Sequence, residues 1–337
     1  MRKYRIGLVG CGGIAHSHIK GYRTVANELG EVVAGCDLNI ETLNSFCNTY
    51  GVPHRFTNTR ELIESGEVDV ITLLTPPSAR GEIIFPAAEN GIHILVEKPF
   101  AENLTDAVSF VEAAERGGVV LAVSQQFRFM PEALAAKEII TSGEIGDVRY
   151  ISHDQYQNRT RTRGWRKDEE RLEISIFSIH LLDRMRWLVG QPPETVRALT
   201  RHWDGQVRGE TFTALIVHFA GDIVGTMVSN WHSLTIPECR LRIDGTAGSI
   251  LVQKKSATAD QYTLIVRRLD GEMEQRDCSG ENIFRPAIGE SMRQLLLAID
   301  TNSEPIHSGR DNLQTMAIVD AAYLSASSGA QVKIADL

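Results

Sequence analysis

The stretch YRIGLVGCGGIAHSH, residues 4–18, decides the fold of the first part of the chain. Its apolar opening predicts a strand, and the segment at about 14–29 predicts a helix. Between them Gly10, Gly12 and Ala15 form the pattern G-x-G-x-x-[G/A]. The first glycine permits a tight turn, the second lets a pyrophosphate approach the backbone, and the small third residue lets the helix pack closely. Because free N–H groups at a helix start favour a phosphate, the stretch predicts a dinucleotide-binding turn.

An acidic residue, Asp37, ends the second predicted strand, EVVAGCD at residues 31–37. A carboxylate at this spacing binds ribose hydroxyls and repels a 2′-phosphate, which predicts NAD rather than NADP. Two alternatives stay open. Asp37 could cap the following helix, although Asn39 can do that equally well. The glycine turn could also connect a strand to a helix without any nucleotide.

Strands and helices alternate over about the first 125 residues, as in β-α-β units. The runs VDVITLLT (68–75), IHILVE (92–97) and VVLAVS (119–124) are strongly apolar, as expected for parallel strands covered on both faces. This rhythm predicts an α/β fold whose N-terminal domain, residues 1–124, is a Rossmann parallel sheet.

The pattern changes near Val123–Gln126. A predicted helix at about 131–142 leads to DVRYISHDQY (147–156), whose alternating apolar and polar residues indicate a half-exposed strand. A helix at about 175–189, six further strand-like runs and two helices follow. Residues 125–337 are therefore predicted to form an α+β domain with a large open, mostly antiparallel sheet.

The composition of the 337 residues excludes several classes of protein. The formal charge is −8, with 35 basic and 43 acidic residues, a balance that argues against a nucleic-acid or anionic-membrane surface. No apolar run approaches the ~20 residues that cross a bilayer. The basic and then apolar opening fits a first strand better than a signal peptide. Five cysteines without a C-x-x-C pair suggest reduced thiols in a cytoplasm.

The run HILVEKPF, residues 93–100, places charge where a buried strand stops. Ligands of open α/β sheets bind outside the carboxyl ends of the strands, so Lys98 should point toward the nicotinamide side of the crevice. Pro99 lacks an N–H and has a fixed φ, which stops the strand and orients the lysine. Glu97 can pair with a neighbouring cation or bind substrate. The alternative for Lys98 is an ordinary surface lysine.

Seven features occur in one order along the chain. They are GCGGIA (10–15), Asp37, LLTPP (73–77), VEKPF (96–100), QQFRFMP (125–131), SIHLLDRMRWLVG (178–190) and DGTAGSI (244–250). Together they resemble the glucose–fructose oxidoreductase and inositol dehydrogenase family, often called Gfo/Idh/MocA, over essentially the whole chain. The resemblance implies oxidation of a sugar or cyclitol hydroxyl with hydride transfer to NAD(P). It also implies a homodimer or homotetramer assembled through the open sheet.

By that resemblance Lys98 matches the catalytic lysine of the family, and His180 matches the histidine of its D-x-G-x-H motif. Arg128 matches the arginine after the last Rossmann strand, and Thr75 and Pro76 match the turn that covers the cofactor.

Four positions depart from the family pattern. In the turn, Pro77 replaces the usual asparagine and Arg80 the usual histidine. In the histidine motif, Ile176 replaces the aspartate and Ser178 the glycine. Contacts around the nicotinamide are therefore expected to differ from those of relatives. If the missing aspartate transfers a proton in relatives, another group must do so in this chain.

The predicted mechanism assigns two residues to the proton of the substrate hydroxyl. His180, with an ordinary histidine pKa of ~6.5, is the predicted base, and Lys98 stabilises the developing negative charge. The two roles could be exchanged, since a desolvated lysine can also act as a base. Asp183, three residues after His180, and Glu173, two turns before it, could compensate for the missing aspartate.

The other predicted site residues follow from these assignments. The predicted cofactor-binding residues are Gly10, Gly12, Gly13, Ile14, Asp37, Thr75, Pro76, Glu97, Lys98 and Gln126. The predicted substrate-binding residues are Lys98, Arg128, Tyr156, Trp165, His180 and Asp183. Arg161, Arg163 and Arg166 could bind an acidic sugar or another subunit, although a solvated basic loop is the commoner explanation.

Two further features receive the simpler interpretation. Trp231 and His232 could close the pocket, but a core tryptophan is the safer prediction. His16 and His18 are two residues apart at a helix start and are not a metal pair, and without clustered ligands no metal is predicted.

Three functions compete at this point. The leading one is an NAD-dependent dehydrogenase that oxidises an aldose to a lactone or a cyclitol to a ketone. The second is an NAD-dependent glycoside hydrolase of the same superfamily, without net redox change. The third, motivated by Ile176, is a non-catalytic protein that binds NAD or a sugar.

Overall fold

A computed structural model describes residues 3–159, 162–235, 237–254 and 261–337. The chain divides into two compact units. The first unit comprises Met1–Phe129 and Phe284–Leu313, and the second comprises Met130–Ile283 and Gln314–Leu337. The predicted division at residues 124 and 125 did not anticipate that Phe284–Leu313 returns to the first unit.

The strands and helices are numbered along the chain. The strands are β1 (Tyr4–Val9), β2 (Gly30–Cys36), β3 (His54–Phe56), β4 (Val70–Leu73), β5 (His93–Glu97), β6 (Leu121–Ser124), β7 (Val148–Tyr156), β8 (Pro193–Arg201), β9 (Phe212–Phe219), β10 (Ile223–Asn230), β11 (Glu238–Gly245), β12 (Gly248–Lys254), β13 (Tyr262–Arg268), β14 (Met273–Asp277) and β15 (Val332–Lys333). The α-helices are α1 (Ala15–Gly21), α2 (Ile40–Tyr50), α3 (Thr59–Glu64), α4 (Gly81–Glu89), α5 (Leu104–Arg116), α6 (Pro131–Thr141), α7 (Ile179–Val189), α8 (Phe284–Asp300) and α9 (Gly309–Ser328).

The sheet of the first unit has six parallel strands in the order β3-β2-β1-β4-β5-β6. This is the order of the Rossmann fold, which confirms the predicted fold of the first domain. Its central strands are apolar because both faces of the sheet are covered: β4 is buried along its whole length. The carboxyl ends of β1, β2 and β5 carry the glycine loop, Asp37 and Lys98, so these features lie along one edge of the sheet.

Helix α8 packs against α1 and completes the core of the first unit. The two helices approach closely at two glycines. A Cβ atom at Gly21 would lie 2.4 Å from the carbonyl oxygen of Arg285, and one at Gly289 would lie 2.3 Å from the carbonyl oxygen of Gly21. Such distances exclude any side chain, so the pair of glycines fixes where α8 docks.

The sheet of the second unit has nine strands in the order β14-β13-β12-β11-β7-β10-β9-β8-β15. Neighbouring strands are antiparallel except β7 and β10, which pair in parallel. Buried and less buried residues alternate along β10, as the sequence pattern predicted for half-exposed strands. Helix α7 packs on β7 and β10, where Gly225 makes room for Met185. The mostly antiparallel open sheet is therefore confirmed.

The cysteines of the chain are free thiols, and four of the five are buried. Within the described ranges, no helix combines the length and the apolar composition that a bilayer crossing requires.

Candidate active site

The glycine loop presents open backbone at the edge of the Rossmann sheet. Gly10 has φ +94°, and a Cβ there would lie 3.2 Å from the backbone carbon of Leu74, so the turn requires glycine. Gly12 and Gly13 are exposed, and a Cβ at either position would meet no atom within 4 Å. The backbone of the loop is thus accessible at Gly12, where the pattern predicts approach of a pyrophosphate, and at the neighbouring Gly13.

Asp37 joins the end of β2 to this loop. One carboxylate oxygen of the half-buried Asp37 accepts the N–H of Cys11 at 2.8 Å, and the other accepts the N–H of Asn39 at 2.8 Å. Asn39, not Asp37, caps α2, because its side-chain oxygen accepts the N–H groups of Glu41 and Thr42. The carboxylate is therefore held beside the glycine loop, with further lone pairs available for ribose hydroxyls. This geometry fits the dinucleotide that the sequence predicts.

The end of β5 is organised around the buried carboxylate of Glu97. One oxygen lies 2.9 Å from Nε2 of His18, and the other accepts the backbone N–H of Lys98 at 3.2 Å. Burial acts to raise the pKa of Glu97, but the hydrogen bond from His18 and the charges of His18, Lys98 and Arg80 outweigh it, so the pKa lies below its ordinary value. Glu97 thus pairs with His18 and lies near the positive charges of Lys98 and Arg80, and its predicted contacts with cofactor or substrate stay predictions.

The turn after β4 contains a buried arginine. Thr75 is half-buried and Pro76 exposed, whereas Arg80 is 1% exposed and donates from Nη2 to the carbonyl oxygen of Thr75 at 3.0 Å. Burial lowers the pKa of Arg80 to about 9, against the opposing charge of Glu97. Its Nε and Nη1 atoms have no hydrogen-bond partner among the described residues. Arg80 at this position therefore brings a second positive charge to the end of β5.

Gln126 and Arg128 follow β6 and are both buried. The guanidinium of Arg128 donates to the carbonyl oxygen of Ile306 at 2.5 Å and to the carboxylate of Asp311 at 2.6 Å. These contacts hold the returning segment of the chain inside the first unit, a structural role that the sequence did not predict. Contacts of Gln126 and Arg128 with cofactor or substrate stay predictions.

In the second unit, His180 lies in the first turn of α7 and is 6% exposed. Asp183 lies on the same helix, accepts a hydrogen bond from Thr315 Oγ1 at 2.9 Å, and lies 3.7 Å from Nη2 of Arg186. Asp183 is therefore anchored within the second unit. Tyr156, at the end of β7, is half-buried, and burial raises the pKa of its phenol.

The position of the missing aspartate, Ile176, belongs to an apolar cluster with Leu172, Val207 and Trp231, against which Trp165 packs. Trp231 is 1% exposed, so the prediction of a core tryptophan is confirmed. A carboxylate would be poorly solvated among these neighbours. The apolar side chain at Ile176 is thus matched to its surroundings.

Glu173 lies in the π-helical turn that precedes α7 and is fully buried. It accepts a hydrogen bond from Ser178. Burial raises the pKa of Glu173, and the hydroxyl groups of Ser178, Ser229 and Thr213 oppose that effect only in part. The carboxyl group therefore holds its proton to a higher pH than an exposed glutamate does.

Substituting Glu173 with glutamine should therefore be tolerated, because the amide resembles the protonated acid. When a carboxyl group has a raised pKa in the folded state, the protein loses stability as pH rises above ~4.5, the pKa of that group in the unfolded chain. The reason is that the unfolded chain ionises first. The E173Q variant should melt at the wild-type temperature or higher at pH 8, with a flatter pH dependence. Thermal unfolding of both proteins from pH 5 to pH 8 measures this. A variant that loses more stability at pH 8 than at pH 5 would contradict it.

Arginines of the arginine-rich loop lie over aromatic rings at this cluster. The guanidinium of Arg159 lies 4.3 Å from the ring of Phe177 and 5.5 Å from that of Trp231. Arg166 lies over the ring of Trp165 at 5.1 Å, and Arg163 is exposed. Arg161 lies outside the described residues. His16 and His18 bind different partners, Tyr50 and the pair of Tyr22 and Glu97. Within the described ranges, no group of three potential ligand side chains is close enough to hold a metal ion.

A six-stranded Rossmann sheet with an open glycine loop, an aspartate held beside that loop and a lysine on the same edge is typical of a class of protein, the NAD-binding oxidoreductases. Comparison of the sequence with models of known protein families identifies the family. Residues 4–125 match the model described as "Oxidoreductase family, NAD-binding Rossmann fold", and residues 137–334 match its "C-terminal alpha/beta domain". The chain belongs to the Gfo/Idh/MocA oxidoreductase family, which confirms the resemblance and NAD as the cofactor.

Several known proteins align with this chain over nearly its whole length. A D-apiose dehydrogenase of Rhizobium rhizogenes is 28% identical over 99% of this chain and 98% of its own length. A D-apiose dehydrogenase of Paraburkholderia graminis is 25% identical over 100% of this chain and 91% of its own. An oxidoreductase from Agrobacterium radiobacter, solved with NAD⁺, L-tartaric acid and magnesium, has the same fold, with a TM-score of 0.92, 24% identity and 99% of each chain covered.

Proposed function

We propose that the chain oxidises a hydroxyl of a sugar, an aldose to its lactone, or of a cyclitol to its ketone, with NAD as the hydride acceptor. The observation that carries the proposal is the position of Lys98 at the carboxyl end of β5, on the sheet edge that holds the glycine loop and Asp37. The two D-apiose dehydrogenases that align over the whole chain support an aldose as the substrate class.

In this mechanism the cofactor site consists of Gly12, Gly13 and Asp37. NAD, when bound there, supplies the acceptor for the hydride of the substrate carbon. His180 takes the proton of the substrate hydroxyl as that hydride leaves. Lys98 donates a hydrogen bond to the same oxygen and stabilises its negative charge. The C–H and O–H bonds break, a C=O double bond forms, and the hydroxyl proton passes through His180 to solvent.

A substrate screen tests the proposal. The purified protein is incubated with NAD or NADP and a panel of aldoses, cyclitols and sugar acids, D-apiose first, and NADH absorbance is followed. We expect steady NADH formation with at least one aldose or cyclitol. Release of sugar from a glycoside without accumulating NADH would instead support a glycoside hydrolase. NAD binding with no turnover of any kind would support the non-catalytic alternative.

Replacing Asp37 with serine should shift the preference between cofactors. Asp37 carries the negative charge that repels a 2′-phosphate, and like charges placed together cost several kcal/mol, so the ratio of kcat/KM for NADP to that for NAD should rise about a hundredfold. Steady-state kinetics with both cofactors measures the ratio. The matched control is E41Q, which removes an exposed carboxylate from α2. An unchanged ratio in D37S would contradict the role assigned to Asp37.

A further inference from the structure

Four buried polar side chains form a continuous chain of hydrogen bonds from Thr72 on β4 to Glu97 at the end of β5. Thr72 Oγ1 lies 3.1 Å from the hydroxyl of Tyr22, which lies 2.8 Å from Nδ1 of His18. Nε2 of His18 lies 2.9 Å from Oε1 of Glu97. The exposed fractions of Thr72, Tyr22, His18 and Glu97 are 0%, 2%, 0% and 6%, so water does not compete for these contacts.

The chemistry of the groups fixes the direction of the bond between His18 and Glu97. An ionised carboxylate only accepts, so Nε2 of His18 carries the hydrogen that Glu97 accepts. Nδ1 accepts from the hydroxyl of Tyr22 if the imidazole is neutral and donates to it if the imidazole is protonated, and the bond to Glu97 is the same in both cases. Because an unpaired carboxylate in such surroundings is costly, the bond from His18 determines where Oε1 of Glu97 can lie.

The second oxygen of Glu97 ties this chain to Lys98. Oε2 accepts the backbone N–H of Lys98 at 3.2 Å, and the next residue, Pro99, has no N–H to offer. Arg80 and Lys98 add positive charge around the same carboxylate. One buried carboxylate thus holds the imidazole of His18 on one side and the backbone of Lys98 on the other.

We propose that His18 is a positioning residue for Lys98: through Glu97 it fixes the backbone from which the lysine reaches the reacting oxygen. This inference rests on the proposed function of Lys98. It differs from a purely stabilising role, because loss of the bond displaces one catalytic side chain and leaves the glycine loop and Asp37 in place. The effect should therefore fall on kcat rather than on cofactor binding.

Three variants distinguish the hydrogen bond between His18 and Glu97 from the one between His18 and Tyr22. In H18F a phenyl ring replaces the imidazole, and the hydrogen bonds to Tyr22 and Glu97 are both lost. In H18Q the side-chain amide can still donate to Glu97, because it lies about as far along the side chain as Nε2 does. In Y22F the chain loses a buried hydroxyl while the bond between His18 and Glu97 remains, which makes it the matched control.

We expect H18F to lower kcat about thirtyfold, because a displacement of about 1 Å in a catalytic group can cost as much as a hundredfold. The KM for substrate and the Kd for NADH should stay within about threefold. H18Q should recover most of the lost kcat, and Y22F should keep kcat within about threefold. A kcat near that of the wild type in a folded H18F, or equal losses in H18Q and H18F, would overturn the inference.

A second readout needs no substrate. Hydrogen exchange at the backbone amide of Lys98, followed by mass spectrometry of overlapping peptides, should be about tenfold faster in H18F and unchanged in Y22F. If H18F does not fold, E97M replaces it: the methionine side chain has a similar length but cannot take the two hydrogen bonds of the carboxylate, so kcat should fall at least tenfold. A normal kcat in E97M would overturn the inference. The K98M variant, assayed in parallel, keeps the two proposals distinguishable: its full activity would reject the proposed function, whereas its inactivity beside a normal H18F would reject only the role of His18.

Discussion

Replacing Lys98 with methionine is expected to lower kcat about a thousandfold, within the range that a positioned proton-handling group contributes. Methionine keeps most of the side-chain length and removes the ammonium group. Because the glycine loop and Asp37 are unchanged, the Kd for NADH should stay within about threefold. Steady-state NADH formation gives kcat, and NADH fluorescence gives the Kd.

The matched control for this variant is K20M, which removes an exposed lysine from α1. K20M should have wild-type kinetics. If K98M retained more than about a tenth of the wild-type kcat, the loss would lie below the range of general acid–base catalysis, and the assignment of Lys98 would be contradicted.

Replacing His180 with asparagine is expected to lower kcat/KM about a hundredfold at neutral pH, because the base for the hydroxyl proton is lost. In the wild type, kcat/KM should fall toward acid pH, because a protonated imidazole cannot accept the hydroxyl proton. That acid limb should disappear in H180N. A pH profile of kcat/KM for both proteins measures the effect.

The control here is H218N, which changes an exposed histidine on β9. H218N should keep the acid limb and the wild-type rate. An acid limb that persists in a folded H180N would assign the proton to another group, and Lys98 would then be the first candidate, as in the exchanged roles that the sequence left open.

The sequence predicts the Rossmann unit well because its signals are local. The glycine loop, the apolar strands and the acid at position 37 each lie within a short stretch. The return of α8 to the first unit carries no such signal, since the contact of Gly21 with Gly289 joins residues far apart in the sequence. The parallel pairing of β7 with β10 is equally hidden, because an alternating strand pattern does not specify its neighbour.

The candidate site was predicted less completely, because many of its contacts join residues that are far apart in the sequence. The position of Lys98 at a strand end follows from the strand itself. The burial of Arg128 against Asp311 and the pairing of His18 with Glu97 depend on tertiary contacts that no spacing rule gives. His18 carried one weak signal, a histidine on a helix that packs on an apolar sheet, and the sequence offered no way to choose its partner.

Several predictions stay predictions. They are a cytoplasmic location, a homodimer or homotetramer, and the substrate contacts of Tyr156, Trp165 and Asp183. The exposed apolar residues Leu199 and Ile216, on β8 and β9, are compatible with an interface on the open sheet.

The central claim is that hydride passes from a sugar carbon to the nicotinamide of NAD. Isotope transfer tests it most directly: the protein is incubated with NAD and an active aldose deuterated at C1, and the NADH is analysed by mass spectrometry. The account predicts NADH that is one mass unit heavier than with the unlabelled sugar, formed about a thousandfold more slowly by K98M. Unlabelled NADH, or label transfer by K98M at the wild-type rate, would contradict it.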